Sequence, residues 1–549
     1  MEKGIHSAYT PALPQTPFQR EVIDVNPDPR AAEQYQSTVR NIMQLLSQRR
    51  VDEAVNACLA FSKAYPKSND ALLLLGKARQ MQGRFEDMLE LVGTALKREP
   101  QNVGLQLQFA GACQFCGHHD RALAQLAKVE RGARSNGELL QKIAQLYVNG
   151  GKYEDAHRCY LRAARLDGSN PQYLNNLALS YIFVGDLRLA EDTYSKVIAR
   201  APDHYDAWHN RSTLRKQTTD DNHIRELEGA LGKLAPNDAG ETSLCYALAK
   251  ELEDLNEDER SFAYLKRGAD SYRRRSQYEV QTDVTIMRRI AEQFDRGYAE
   301  NVKAAPERRG PIFILGLPRS GTTLVDRIVS SHSDVESMGE ITDFAMTMTR
   351  LCWSLDKRQL LEASARIDPD QLGQGYLRSV AGYGSKAPYF IDKTPINFLY
   401  IGLIAKALPG ASIIHVRRHP VDSCLSMYRT LFRTGYPFSY DLNDLAEYYI
   451  AYDDLMKHWQ TVFPGTVLDV SYEELVDDQE RVSRAIIGHC GLDWEPACLE
   501  FDRNTAPVAT ASAAQVREPI YRSALARWRR FETQLAPLIG RLQKAGIEL

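Results

Sequence analysis

The residues best suited to chemistry stand together in Gly316-Leu317-Pro318-Arg319-Ser320-Gly321-Thr322-Thr323-Leu324. The spacing Gly316-x4-Gly321 is one at which a loop turns successive backbone N–H groups onto a phosphate. A loop that handles a γ-phosphoryl group carries Lys directly after its last glycine; here Thr322 stands there, and the cation, Arg319, lies inside the loop. The chemistry indicated is the binding of a nucleotide phosphate with some group other than a γ-phosphoryl leaving. Further along, the apolar run Ile413-Ile414-His415-Val416 leads into Arg418, and Ser426 follows eight residues later. An arginine at a strand end and a hydroxyl on the next helix can hold a second, separate phosphate by charge-assisted hydrogen bonds.

These residues need strands that end where they begin. The runs Ile312–Leu315, Ser412–Val416 and Thr466–Val470 read as parallel strands, with helices expected over Leu324–Ser331, Leu399–Lys406 and Ser423–Arg429. Strands alternating with helices predict an α/β domain with a covered parallel sheet, binding its ligand at the carboxyl ends of the strands. The first half of the chain follows another rule. Gly83, Gly117, Gly151 and Gly185 recur every 34 residues, as do Met88, Ala122, Ala156 and Ala190, and likewise Gly76, Ala110, Ala144 and Ala178. This is the period of tetratricopeptide (TPR) repeats, paired antiparallel helices with small residues where they cross. Beyond Pro202 the register fades, which predicts degenerate capping repeats. The expected fold class is α plus α/β. Residues 1–32 are an unstructured lead-in, 33–270 the TPR array, 271–308 a basic helical connector and 309–549 the α/β domain.

The segment Pro318-Arg319-Ser320-Gly321-Thr322-Thr323-Leu324 resembles the 5′-phosphosulfate loop of sulfotransferases that use 3′-phosphoadenosine 5′-phosphosulfate (PAPS), in the form found in tyrosylprotein sulfotransferases. Arg418 and Ser426 occupy the places of that family's 3′-phosphate motif, and Tyr472 that of a tyrosine near the adenosine. The resemblance implies a base at Glu340, where the tyrosylprotein enzymes have two adjacent glutamates and this chain has one. Lys393, in Asp392-Lys393-Thr394-Pro395, matches the family's Lys-x-Pro position, and with Arg319 would stabilise the departing phosphate oxygen. A late loop in the family closes over the 3′-phosphate. Arg517, Tyr521 and Arg522 are the candidates here, although Glu518 stands where the tyrosylprotein enzymes have a lysine before the proline, so which cation serves stays open. His332 reads as structural. The expected reaction is transfer of a sulfuryl group from PAPS to a hydroxyl, the array docking an acceptor protein or peptide. Protein tyrosine, a small molecule, a lipid and a glycan all remain open as acceptor. The alternatives are a kinase-like nucleotide enzyme and a repeat scaffold carrying an inactive nucleotide-binding domain.

Bulk properties narrow the field. A net charge of −3 in 549 residues, with a pI near 6.5, speaks against a general nucleic-acid or membrane-surface binder. Nine cysteines without framework spacing fit a reducing compartment. No apolar run has the length of a signal or a membrane span, so no membrane insertion and a cytoplasmic location are expected. Cys113-Gln114-Phe115-Cys116-Gly117-His118-His119 could suggest zinc, but the repeat register places both thiols in helix packing, and no metal is expected. Oligomeric state is not legible. Residues 342–389 read as loops that carry acceptor choice.

Overall fold

The computed structural model describes residues 29–133, 135–300, 310–504, 506 and 525–549. Of the sequence assignments, most of the lead-in, the end of the connector, and Arg517, Tyr521 and Arg522 lie outside the described residues. The described residues divide into two compact units: Tyr153–Ile341 with Ser385–Leu549, and residues 29–152 with Thr342–Gly384.

The smaller unit begins with the helix Pro29–Ser47, four residues inside the expected lead-in, and continues as antiparallel helix pairs to Gly137–Asn149. Asparagine or serine caps start the helices Asn69–Met81, Val103–Phe115 and Gly137–Asn149: Ser68 accepts from the Ala71 N–H, Asn102 from Leu105 and Asn136 from Leu139. The glycine column ends those helices in the left-handed region, with φ of 74° at Gly83 and 73° at Gly117. Against these pairs pack the helices Asp343–Cys352 and Pro369–Ala381, with another, Lys357–Ser364, lying between them in the chain and resting on the first. This corrects the expectation of loops over 342–389. Asp356 and Asp368 cap the second and third helices, and Pro369 opens the last, signals masked by a weak apolar pattern. Met346 joins Phe85, Met88, Cys113 and Phe115 in one core cluster. Asp343 is buried and accepts hydrogen bonds from Ser379 and Tyr383 while pairing with His119 at 2.8 Å. Cys116 donates to the Phe85 carbonyl at 3.3 Å, and burial pushes the Cys113 thiol up to about 11, in keeping with a packing role for this pair.

The larger unit carries the later repeats from Tyr153–Leu166 to the hairpin Gly240–Asp254 and Asp258–Arg275, then the helix Val280–Gln293 and the sheet. Five parallel strands, β1 Ile312–Gly316, β2 Val335–Ser337, β3 Tyr389–Asp392, β4 Ser412–Arg417 and β5 Val467–Ser471, lie in the order β2-β3-β1-β4-β5. β2 and β3 were not expected from sequence. Every residue of β1 is buried, which is why it reads as a continuous apolar run rather than an alternating one. Ile312 and Ile314 pack with Val325, Ile328 and Val329 of the helix that follows, and with Ile414 and Val470 of neighbouring strands. Each isoleucine so buried contributes roughly 1.5–3 kcal/mol relative to exposure. The chain leaves β1 toward β3 and β2, then returns to β4 on the other side, so strand order reverses between β1 and β4. A crevice at the carboxyl ends of such a pair is where open α/β sheets bind ligands.

Candidate active site

The phosphate loop is shaped by β1 and by what presses on it. β1 and β4 run in register from Ile312↔Ser412 to Gly316↔Val416. A Cβ at Gly316 would stand 2.4 Å from the Val416 carbonyl oxygen, so only glycine lets the chain leave the strand there. Arg319 takes φ of 69°, a costly conformation for a side-chain-bearing residue and one that turns the loop sharply. The Ser320 N–H closes the turn onto the Leu317 carbonyl at 3.2 Å. The helix Thr322–Val329 then begins. Its first N–H groups have no intrahelical acceptor and are the donors a phosphate would use. The Ser320 hydroxyl is buried with no hydrogen-bond partner among the described residues, an orphan that a phosphate oxygen in this loop would satisfy.

Arg418 follows β4 directly, and its guanidinium carbon lies 5.0 Å from the centroid of the Tyr472 ring. The same ring covers Gly321, where a Cβ would come within 2.6 Å of Tyr472 Cδ2. Tyr472, at the start of the helix that leaves β5, thus touches both the phosphate loop and the second cationic position. Arg418 also faces Asp422 at 3.9 Å. Ser426 is four residues beyond Asp422 on the helix Pro420–Tyr428, hence on the same side of it.

Lys393 and Glu340 meet through two backbone links. The Lys393 N–H donates to the Gly339 carbonyl at 3.0 Å, and Thr394 Oγ1 donates to Ile341 O at 2.7 Å. These hold the strand end of β3 beside the segment after β2, and Lys393 Nζ reaches Glu340 Oε1 at 2.6 Å. The lysine is 1% exposed and the glutamate 26%, so the ammonium is fixed by burial while the carboxylate keeps access to a reactant. Tyr153, from the array, is pushed up to about 12, chiefly by burial and further by the Glu340 charge.

Sequence reasoning passed over three groups here. Asp326, one turn into the loop helix, is buried; burial pushes its pKa up, opposed by the Lys393 ammonium and a hydrogen bond from Ser337. An aspartate inside an apolar helix carries no sequence signal that separates it from a solvated one. Trp528 stacks on His419 at 5.4 Å, and its backbone N–H donates to Asp422 Oδ1 at 3.0 Å, which brings the C-terminal segment beside Arg418. His415 lies next to Leu315 in the register of β4 on β1, pairs with Asp469 at 2.5 Å and bonds the Tyr452 hydroxyl. Burial raises the Tyr452 hydroxyl well above the ordinary tyrosine value, and the Leu317 backbone at the start of the loop opposes that shift. His332 is structural: Nε2 bonds the Asp493 carbonyl and Nδ1 accepts from the Asp334 N–H.

Asp326 carries a prediction. With its folded pKa above the ordinary carboxylate value, the protein loses stability as pH rises from that value through the raised one, where the buried carboxyl must ionise. Asp326→Asn is expected to flatten this part of the melting temperature–pH profile, raising the midpoint at pH 7 relative to the wild type more than at pH 4. Parallel profiles for the two proteins would show that Asp326 ionises without cost.

A parallel sheet with a glycine loop after β1 and an arginine after β4, both at the carboxyl ends of the strands, defines the class as an α/β domain in a chain that also carries helical repeats. The comparisons agree with this division. Residues 311–496 match the sulfotransferase family, and residues 42–103, 142–182 and 171–204 match tetratricopeptide repeats. Residues 311–496 thus carry a sulfotransferase-family match, and the helical array before them carries TPR repeats. An uncharacterized protein of Aquifex aeolicus is 32% identical over 374 residues, covering 66% of this chain and 49% of that protein. Protein-tyrosine sulfotransferase 1 of Danio rerio is 26% identical over 263 residues, covering 42% of this chain and 71% of that one. A TPR protein of Thermus thermophilus aligns structurally with a TM-score of 0.27 and 23% identity, over 33% of this chain and 98% of its own. The chain spans about half the length of the Aquifex relative.

Proposed function

We propose that this protein transfers a sulfuryl group from PAPS to an acceptor hydroxyl. The observation that carries the reading is the double contact of Tyr472: one ring lies against the phosphate loop at Gly321 and against Arg418. Two phosphate-holding positions joined by one aromatic face suit an adenosine phosphorylated at both ends of its ribose. The loop holds the 5′-phosphosulfate, Arg418 and Ser426 the 3′-phosphate, and Tyr472 the space between.

Glu340 accepts the proton of the acceptor hydroxyl as its oxygen attacks sulfur in line. The S–O bond to the 5′-phosphate breaks, the electron pair stays on that phosphate oxygen, and Lys393 and Arg319 stabilise the charge that develops there. The Lys393–Glu340 contact of 2.6 Å places the base and the cation side by side, as this requires. The likeness to the protein-tyrosine sulfotransferase of Danio rerio favours a protein tyrosine as acceptor. Repeat arrays commonly offer grooves for extended peptides, and Tyr153 brings the array within reach of the Glu340 charge. A reducing, cytoplasmic setting is part of the same reading.

The test is transfer of labelled sulfate from PAPS to a tyrosine-containing peptide mixture by the full chain, alongside titration with adenosine 3′,5′-bisphosphate and adenosine 5′-monophosphate. Labelled product together with tighter binding of the bisphosphate is the expected result. Equal binding of the two nucleotides, or labelling from γ-labelled ATP instead, overturns it.

A further inference from the structure

We infer that Glu253, a residue of the repeat array, is a positioning residue for the 3′-phosphate end of the donor site, so that the capping repeat is a working part of the sulfotransferase domain. The inference rests on the donor reading above. Glu253 lies on the helix Gly240–Asp254 and is 3% exposed. One carboxylate oxygen meets Arg527 Nε at 2.7 Å, and the other pairs with Arg429. Those two arginines belong to separate pieces of the donor site. Arg429 ends the helix Pro420–Tyr428, three residues beyond Ser426. Arg527 immediately precedes Trp528, which stacks on His419 and donates to Asp422.

A closed circuit results. Arg418 faces Asp422, Asp422 accepts from Trp528, the chain passes to Arg527, Glu253 ties Arg527 to Arg429, and the helix returns from Arg429 through Ser426 to Asp422. Glu253 is the link that the α/β domain does not supply. Burial lowers the Arg429 pKa and the Glu253 carboxylate opposes that shift. Removing this charge leaves the buried Arg429 guanidinium facing Arg527 with only the weaker pull of the Asp254 carboxylate against that repulsion, in a setting where under-compensated charge is costly. The helix carrying Ser426 and the segment carrying Trp528 would then separate, while the phosphate loop, held by β1, stays in place. The capping hairpin is joined to the same helix at a second point, where the Tyr246 hydroxyl donates to the Tyr428 carbonyl at 3.0 Å.

The experiment titrates the full chain with adenosine 3′,5′-bisphosphate and adenosine 5′-monophosphate. In Glu253→Gln the bisphosphate affinity is expected to fall about tenfold while the monophosphate affinity changes by less than about twofold. Arg530→Ala, which breaks another array pair, with Asp258, should leave the ratio of the two affinities unchanged. If Glu253→Gln does not fold, Arg527→Gln serves in its place, with the same expected change in ratio. An unchanged ratio in a folded variant, including an equal loss of both affinities, overturns the role of Glu253 and leaves the donor reading standing. A wild-type chain that binds both nucleotides equally overturns the donor reading itself and this inference with it.

Discussion

Lys393→Ala is expected to lower sulfate transfer from PAPS by roughly 10²–10³-fold, and Glu340→Gln by roughly 10²–10⁴-fold, with the fold retained in both. The two partners differ in their surroundings. Lys393 is almost fully buried, whereas Glu340 is partly exposed, so removing the lysine leaves a carboxylate that water can solvate. Removing the glutamate is riskier, because a buried ammonium would lose its partner. The amide of glutamine keeps an acceptor in place, and Asp326 remains nearby to compensate. Titration with adenosine 3′,5′-bisphosphate separates chemistry from binding. Glu340→Gln should bind it within about twofold of the wild type, since the base acts on the acceptor and not on the donor nucleotide. If both variants keep more than about a tenth of wild-type transfer, the ion pair is structural and the catalytic assignment fails.

Gly321→Ala should weaken binding of the same bisphosphate by about 10–100-fold, because two penalties combine at one residue. Its φ of 110° is a conformation that residues with side chains rarely adopt. The added methyl would also lie 2.6 Å from the Tyr472 ring, whose other contact is the Arg418 guanidinium. Displacing the ring therefore disturbs both phosphate positions together. Gly465→Ala provides the comparison: Gly465 has φ of 74° with open space around the position of a Cβ. It should lower the melting temperature through backbone strain alone and leave nucleotide affinity unchanged. Equal affinities for the wild type and Gly321→Ala would mean that the loop does not hold the nucleotide.

The parts of this protein that could be read from sequence are those whose cause is local. The 34-residue glycine column requires a left-handed backbone at each repeat, and Gly83, Gly117, Gly151 and Gly185 all adopt it. β1, β4 and β5 lie within a residue or so of where their apolar runs put them: β1 and β4 are central and almost wholly buried, and β5, at the sheet edge, still carries Val467, Leu468 and Val470. β2, at three residues, is too short to show a period, and the polar residues around Tyr389–Asp392 concealed β3. The site residues could be named but not arranged. No spacing rule brings Tyr472 onto Gly321, because that contact follows from β5 lying beside β4 and the loop helix beginning beside both. The ties of Glu253 to Arg429 and Arg527 were hidden for a similar reason: the two partners lie about 180 and 270 residues away, and a single acidic residue on a repeat helix looks solvated.

The three helices between Thr342 and Gly384 are made on the ribosome about two hundred residues after the repeats they complete. Until they emerge, His119 lacks its aspartate and the cluster around Phe85 lacks Met346. Gly117 meanwhile leaves open the place where Ser379 will sit, closely enough that a methyl there would fall 2.1 Å from its hydroxyl oxygen. The N-terminal repeats therefore finish folding only after the chain has already laid down β1 and β2 of the other unit. An expressed fragment cut at the apparent domain boundary near residue 309 would consequently be a half-built solenoid with an apolar flank, and should be recovered as aggregate unless residues 342–384 are supplied in trans.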